Sequence, residues 1–133
     1  DDIPHMKEVI EDDNMAFSPQ AIEAFLTKEG NYGFVVLVDG NIVGFAYAYE
    51  LVRVDEVAPM LYVHSVGLLP SYQNKCLGTR LMAYITAYAK EHGFSECFVI
   101  TDKGNTPACK VYETVGGKSA YKNEVVYVMD FVK

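Results

Sequence analysis

At 133 residues, half of them hydrophobic and 22% charged, the chain has the composition of one globular domain that can bury its own core. Its formal net charge of −7, from 11 basic against 18 acidic residues, argues against a nucleic-acid partner, because a phosphate backbone is met by a basic face. No apolar run reaches the about 18–20 residues that cross a bilayer, and no membrane partner is expected.

Asp1-Asp2-Ile3-Pro4 lacks the basic start and apolar stretch of a secretion signal. Cys76, Cys97 and Cys109 show no paired spacing, so neither a disulfide framework nor a metal site is expected, and a reducing, cytoplasmic setting fits. A short helix is expected near His5–Ile10. Ser18-Pro19 opens a second, since Ser caps free amides and Pro suits the first helical position; Ile22, Phe25 and Leu26 are its apolar stripe, and Gly30 ends it. Phe34 to Val38 and Ile42 to Tyr49 read as strands joined by an Asp39-Gly40-Asn41 hairpin turn.

A charged loop from Glu50 to Pro59 leads to a strand, Leu61 to Leu69, closed by Pro70. An amphipathic helix is expected from near Gly78 to Gly93, with Leu81, Ile85 and Tyr88 at helical spacing. Phe94 to Ile100 reads as a strand, and Thr106-Pro107 opens a helix that Gly116-Gly117 stops. Two short strands, Lys118–Tyr121 and Val125–Val132, are expected around a turn at Lys122-Asn123. This order predicts a single α/β domain, a mixed sheet with helices on its faces.

The chemistry concentrates in the strand–Pro–loop–helix unit from Tyr62 to Leu81. A tight polar loop feeding a helix start gathers backbone N–H groups, and the helix dipole adds positive character, which suits a diphosphate. Lys75 and Arg80 could add cationic contacts.

Gln73-x-x-Cys76-x-Gly78 resembles the acetyl-CoA loop of the GNAT superfamily of N-acetyltransferases, Gln/Arg-x-x-Gly-x-Gly/Ala. Asn105-Thr106-Pro107-Ala108, then Val111-Tyr112-Glu113 and Gly116-Gly117, is similar to the family's Asn-x-x-Ala…Tyr-Glu helix. Both motifs stand in the family's order over a resemblance spanning roughly residues 17–132, and paired motifs in context outweigh either alone. The resemblance implies a mostly antiparallel sheet with a splayed parallel strand pair. It leaves open a missing first strand, and a homodimer is a prior of the superfamily. The stretch Phe34 to Leu69 looks most like the aminoglycoside 3-N-acetyltransferases, although Met60 and Ser65 stand where that subfamily carries acids. A further departure is Cys76, in place of the first loop glycine.

The implied reaction is direct acetyl transfer from acetyl-CoA to the amine of a small cationic acceptor, for which the acidic balance is compatible. The resemblance puts the pantetheine arm along Val66, Gly67 and Leu68, whose backbone N–H groups would face the thioester oxygen. It puts the diphosphate on Gln73, Asn74, Lys75, Cys76, Leu77, Gly78 and Thr79, and Asn105 and Ala108 beside the arm. Tyr112 matches the tyrosine that protonates the departing thiolate; its alternative is a core tyrosine.

Strand alternation puts Met60, Tyr62, His64, Val66 and Leu68 on one face. Of these types only histidine titrates near neutral pH, so His64 is the candidate base, the alternative being a histidine satisfied within the sheet. Glu50, Asp55 and Glu56 could act through water or bind a cationic acceptor beside Tyr62, or form a solvated loop. Two other readings stay open: a non-catalytic acyl-CoA-binding module with an altered loop at Cys76, and an acetyltransferase acting on RNA or protein lysines.

Overall fold

The computed structural model describes residues 3–13, 15–119 and 123–132. A 3₁₀ turn (Ile3–Met6) runs into α1 (Lys7–Asp12), and Met6, Val9 and Ile10 are buried. α2 (Pro19–Thr27) starts at Ser18, whose hydroxyl accepts the Ala21 N–H at 3.2 Å with Pro19 in the first turn, as the sequence predicts. β1 (Asn31–Val38) and β2 (Asn41–Leu51) form an antiparallel hairpin. Its two turn residues, Asp39 at φ 52° and Gly40 at φ 81°, are both left-handed, the geometry whose twist matches a two-residue hairpin.

β3 (Met60–Leu68) pairs antiparallel with β2, and β4 (Glu96–Val99) pairs parallel with β3, giving the order β1-β2-β3-β4. α3 (Leu77–Glu91) and α4 (Thr106–Thr114) complete the described elements. The sheet separates two cores. Phe34, Ala46, Ala48, Leu61 and Val63 pack with Leu81, Met82, Ile85 and Ala89 of α3, while Met6, Val9 and Ile10 pack with Val43 and Phe45. Leu61, Val63 and Ile85 are fully buried, each worth about 1.5–3 kcal/mol of transfer free energy.

Two details of β3 shape everything beyond it. Tyr47 faces Ser65 and Ala48 faces Val63, so His64 has no partner on β2 and sits in a β-bulge. The bulge breaks the strict alternation expected from sequence. Tyr62 and His64 lie on the α1–α2 side with Ser65 and Gly67, whereas Val66 and Leu68 turn to the α3 side. The parallel pairing with β4 also stops early, at Val63↔Val99, while β3 continues to Leu68. β4 ends at Val99, so Ser65 to Leu68 of β3 have no β4 partner, and the parallel pair stands as expected.

The last expected strands are corrected. Lys118 and Ser119 form no strand, and 120–122 lie outside the described residues. Residues 125–132 are in no sheet, and Val125, Val126, Tyr127, Val128, Met129, Phe131 and Val132 are exposed. Their apolar, β-branched composition favours extended backbone, but a strand needs a partner edge, and no described strand supplies one.

Candidate active site

The loop between β3 and α3 is held by short local bonds. Pro70–Tyr72 is a 3₁₀ turn, and the Gln73 side-chain amide donates to the Leu68 carbonyl at 3.0 Å, tying the loop to the end of β3. The Gln73 N–H goes to Pro70 O and the Arg80 N–H to Cys76 O. Between them, the N–H groups of Asn74, Lys75, Cys76, Leu77, Gly78 and Thr79 meet no acceptor among the described residues. An uncapped run of donors at the start of a 15-residue helix is chemically suited to an anion. Lys75 Nζ lies 5.7 Å from the Tyr72 ring centroid, at the rim of the same loop.

Cys76 caps α3 at φ 64°, ψ 9°, and Asn74 is also left-handed at φ 62°. Asn accepts this region cheaply, but Cys does not, which explains why glycine suits the position. The thiol is exposed. Gly78 approaches both β3 and α4: a Cβ there would sit 3.5 Å from Leu68 Cδ1 and 3.8 Å from Val111 Cγ2. The loop, the far end of β3 and α4 therefore meet.

On α4, Asn105 is the N-cap, its Oδ1 accepting the Ala108 N–H at 3.2 Å, which leaves its NH₂ group for other partners. Tyr112 is half-buried and packs against the α3-side core. Burial, and then the nearby Cys109 thiol, push its phenol above the ordinary tyrosine range, so the proton-bearing form is favoured.

The opposite side of the sheet is lined by rings. Phe25 of α2 meets Tyr47 and Tyr49 of β2 edge-on, both at 5.4 Å. Tyr62 stacks on Phe98 of β4 at 4.9 Å. His64 lies 5.2 Å from Tyr47, 5.9 Å from Tyr49 and 5.3 Å from Tyr62, and its Nδ1 is 2.9 Å from the Tyr62 hydroxyl. When Nδ1 carries the hydrogen and donates to Tyr62, Nε2 is left as the acceptor, the tautomer a base requires.

The acidic candidates separate. Glu50, near the end of β2, donates its N–H to Gly30 O and lies on the α3 side, away from Tyr62 and His64, where burial and then the Glu50 charge raise the Tyr32 phenol. Asp55 is paired with Arg53 at 3.1 Å, and Glu56 is exposed in the same loop. The carboxylate that does reach the aromatic side is Asp13, at the C-terminal end of α1, where it accepts from Ser65 Oγ at 3.0 Å. Sequence reasoning missed Asp13, since 52 residues separate it from Ser65 and no motif marks it. Tyr47 and Tyr49 carried a signal, as successive same-face residues of a strand, that was not used.

The profile of the acetyltransferase (GNAT) family matches residues 4–116. Aminoglycoside N(6')-acetyltransferase type 1 of Salmonella typhimurium is 25% identical over 97 residues, 71% of this chain and 67% of the relative. An aminoglycoside acetyltransferase from an uncultured soil metagenomic sample, solved with trehalose, superposes at TM-score 0.78 with 25% identity, covering 98% of this chain and 86% of its own. AAC(6')-Iy, solved with the bisubstrate analogue CoA-S-monomethyl-acetylneamine, shares the fold at TM-score 0.79 with 20% identity, covering 98% and 92%. Two of these names carry 6' regiochemistry, so the expected likeness to 3-N enzymes finds no support in them. The chain belongs to the GNAT family of acetyltransferases and is an acetyl-CoA-dependent N-acetyltransferase.

Proposed function

We propose that this enzyme acetylates the primary amine of a small cationic acceptor, by direct transfer at the open stretch of β3. One observation carries the reading: the unpaired N–H groups from Asn74 to Thr79 stand beside a strand whose pairing with β4 has already ended. That donor set fits the diphosphate of coenzyme A. Bound there, acetyl-CoA supplies an activated acyl group as its thioester.

The chain's own residues divide the remaining work. The Leu69 N–H donates to Val43 O on β2, so the Gly67 N–H also points to β2, and the N–H groups of Val66 and Leu68, on the opposite edge of β3, are the donors for the thioester oxygen as negative charge grows on it. Asn105 and Ala108 border the pantetheine arm, and Lys75 screens phosphate charge. The Tyr112 phenol donates its proton to the departing thiolate. His64 Nε2 takes a proton from the acceptor ammonium, directly or through one water, with Tyr62 fixing the ring. Glu56, exposed in the charged loop, attracts a cationic acceptor at the rim without holding it, whereas Glu50 lies on the wrong side for contact with Tyr62 and draws no support from the geometry.

The relatives' names make aminoglycosides one acceptor class to compare with other primary amines. Three unpaired thiols favour a reducing, cytoplasmic compartment, and no described helix is long and apolar enough to cross a membrane. The exposed apolar segment 125–132 supports a homodimer through that segment, which light scattering on wild type and on a chain ending at Asn123 would test. The transfer itself is tested by calorimetry with acetyl-CoA, then thiol release across an amine panel. Binding followed by release with at least one amine is expected. Binding without release on any amine would return the protein to the non-catalytic acyl-CoA binder.

A further inference from the structure

The ring-lined side of the sheet says what kind of amine fits. Phe25, Tyr47, Tyr49, Tyr62 and His64 form a continuous set with centroid separations of 5.2–6.2 Å. None of these residues is fully buried, so ring surface stays open to a ligand. Among the described residues, the carboxylate of Asp13 stands beside them. Asp13 is held by Ser65 Oγ at 3.0 Å, and Gly67 leaves space next to it, since a Cβ there would lie 3.4 Å from Asp13 Cγ.

The chemistry of that side is uneven. A polyhydroxylated polycation needs several carboxylates and many hydrogen-bond partners, because each unpaired buried polar group costs about 1–3 kcal/mol. Here Glu50 lies across the sheet, Asp55 is engaged by Arg53, and Glu56 is out in the loop. What remains among the described residues is π surface, which attracts an ammonium and stacks on a flat or hydrocarbon body, together with the Asp13 carboxylate.

We infer that the acceptor is a primary monoamine on an aromatic or hydrocarbon frame, its body stacked on Tyr47, Tyr49 and Tyr62 and its ammonium positioned by Asp13. The inference rests on the reading that this face receives the amine during acetyl transfer. Asp13 is a specificity-determining residue in this scheme, and the hydroxyl of Ser65 orients it. The 52-residue separation means that the docking of α1 on the sheet sets acceptor choice.

The test compares thiol release with 2-phenylethylamine and with kanamycin at saturating acetyl-CoA. The monoamine is expected to be used with about tenfold or greater kcat/KM. In D13N its KM rises about tenfold, kcat stays within about threefold, and the KM for acetyl-CoA is unchanged. Asp13→Glu restores part of the affinity, which a merely structural role would not produce, and Tyr49→Leu raises the same KM. Preference for kanamycin, or an unmoved monoamine KM in D13N, overturns the inference while leaving acetyl transfer intact. Calorimetric binding of 2-phenylethylamine to wild type and D13N decides the acceptor site separately from turnover. Equal binding by both overturns it, and no thiol release with any amine defeats the transfer reading instead.

Discussion

The two sides of β2 and β3 are built from neighbouring residues and do opposite work. Ala46, Ala48, Leu61 and Val63 point to α3 and disappear into an aliphatic core, with Ala46, Ala48, Leu61 and Val63 all at 0% exposure. Tyr47, Tyr49, Tyr62 and His64, one position along, point to α1 and α2 and stay partly open. A period of two lets one pair of strands be scaffold on one side and site on the other. Small residues on the α3 side let the helix pack close. Rings on the other side keep their area because α1 and α2 are too short to cover the sheet down to His64.

The sharpest way to break this division is Leu61→Ala. It leaves a cavity under α3, and a stability loss of about 2–5 kcal/mol is expected in denaturant unfolding. His64→Ala, three residues along on the open side, should lose less than about 1 kcal/mol while cutting turnover. Equal losses from the two variants would show that the sides are not distinct in the way described.

Next in size is Tyr112→Phe. Its side chain belongs to the aliphatic side but stands on α4, which nears the start of α3 and the end of β3, so its loss should read as chemistry rather than packing. Turnover should fall on the order of 10²-fold, with acetyl-CoA affinity held within about threefold by calorimetry. Unchanged turnover would reduce Tyr112 to a core tyrosine.

Cys76→Gly probes the seam between the two sides, where the loop enters α3. Relief of a left-handed non-glycine residue should raise stability by about 1 kcal/mol and keep or improve acetyl-CoA affinity. A marked loss of affinity would give the thiol a role of its own.

The smallest effect is in alkaline stability. Burial, then the neighbouring Glu96, push the Cys97 thiol from 9.0 to about 11. A folded-state value above the unfolded one favours the neutral thiol in the fold, so that contribution is complete below pH about 9 and is lost as pH rises toward about 11. Relative to wild type, Cys97→Val should flatten the fall in Tm between pH 8 and 11. An identical fall would show that Cys97 does not titrate there.

How far the molecule could be read in advance follows the range of its forces. Helix starts at Ser18-Pro19 and Thr106-Pro107 and the Asp39-Gly40 turn were legible, because helix openings and left-handed turns are local chemistry. So was the loop that leads from β3 into α3, whose motif is contiguous. The bulge at His64 was not, because it is set by register with β2, and it moved Val66 and Leu68 to the other face. Asp13 was illegible for the same reason, and the ring set was legible only in pieces (Tyr47 with Tyr49, Tyr62 with His64), since its assembly exists only once α1, α2 and three strands meet. The closing strand pair was overread, since composition favours a strand but cannot supply its edge.

The most direct measurement is an amide chemical-shift map of the protein titrated with acetyl-CoA. The account predicts that the largest changes fall on the N–H groups of Asn74 to Thr79, with a second set along Val66 to Leu68. Changes confined to other parts of the chain, with those amides unmoved at saturation, would contradict it.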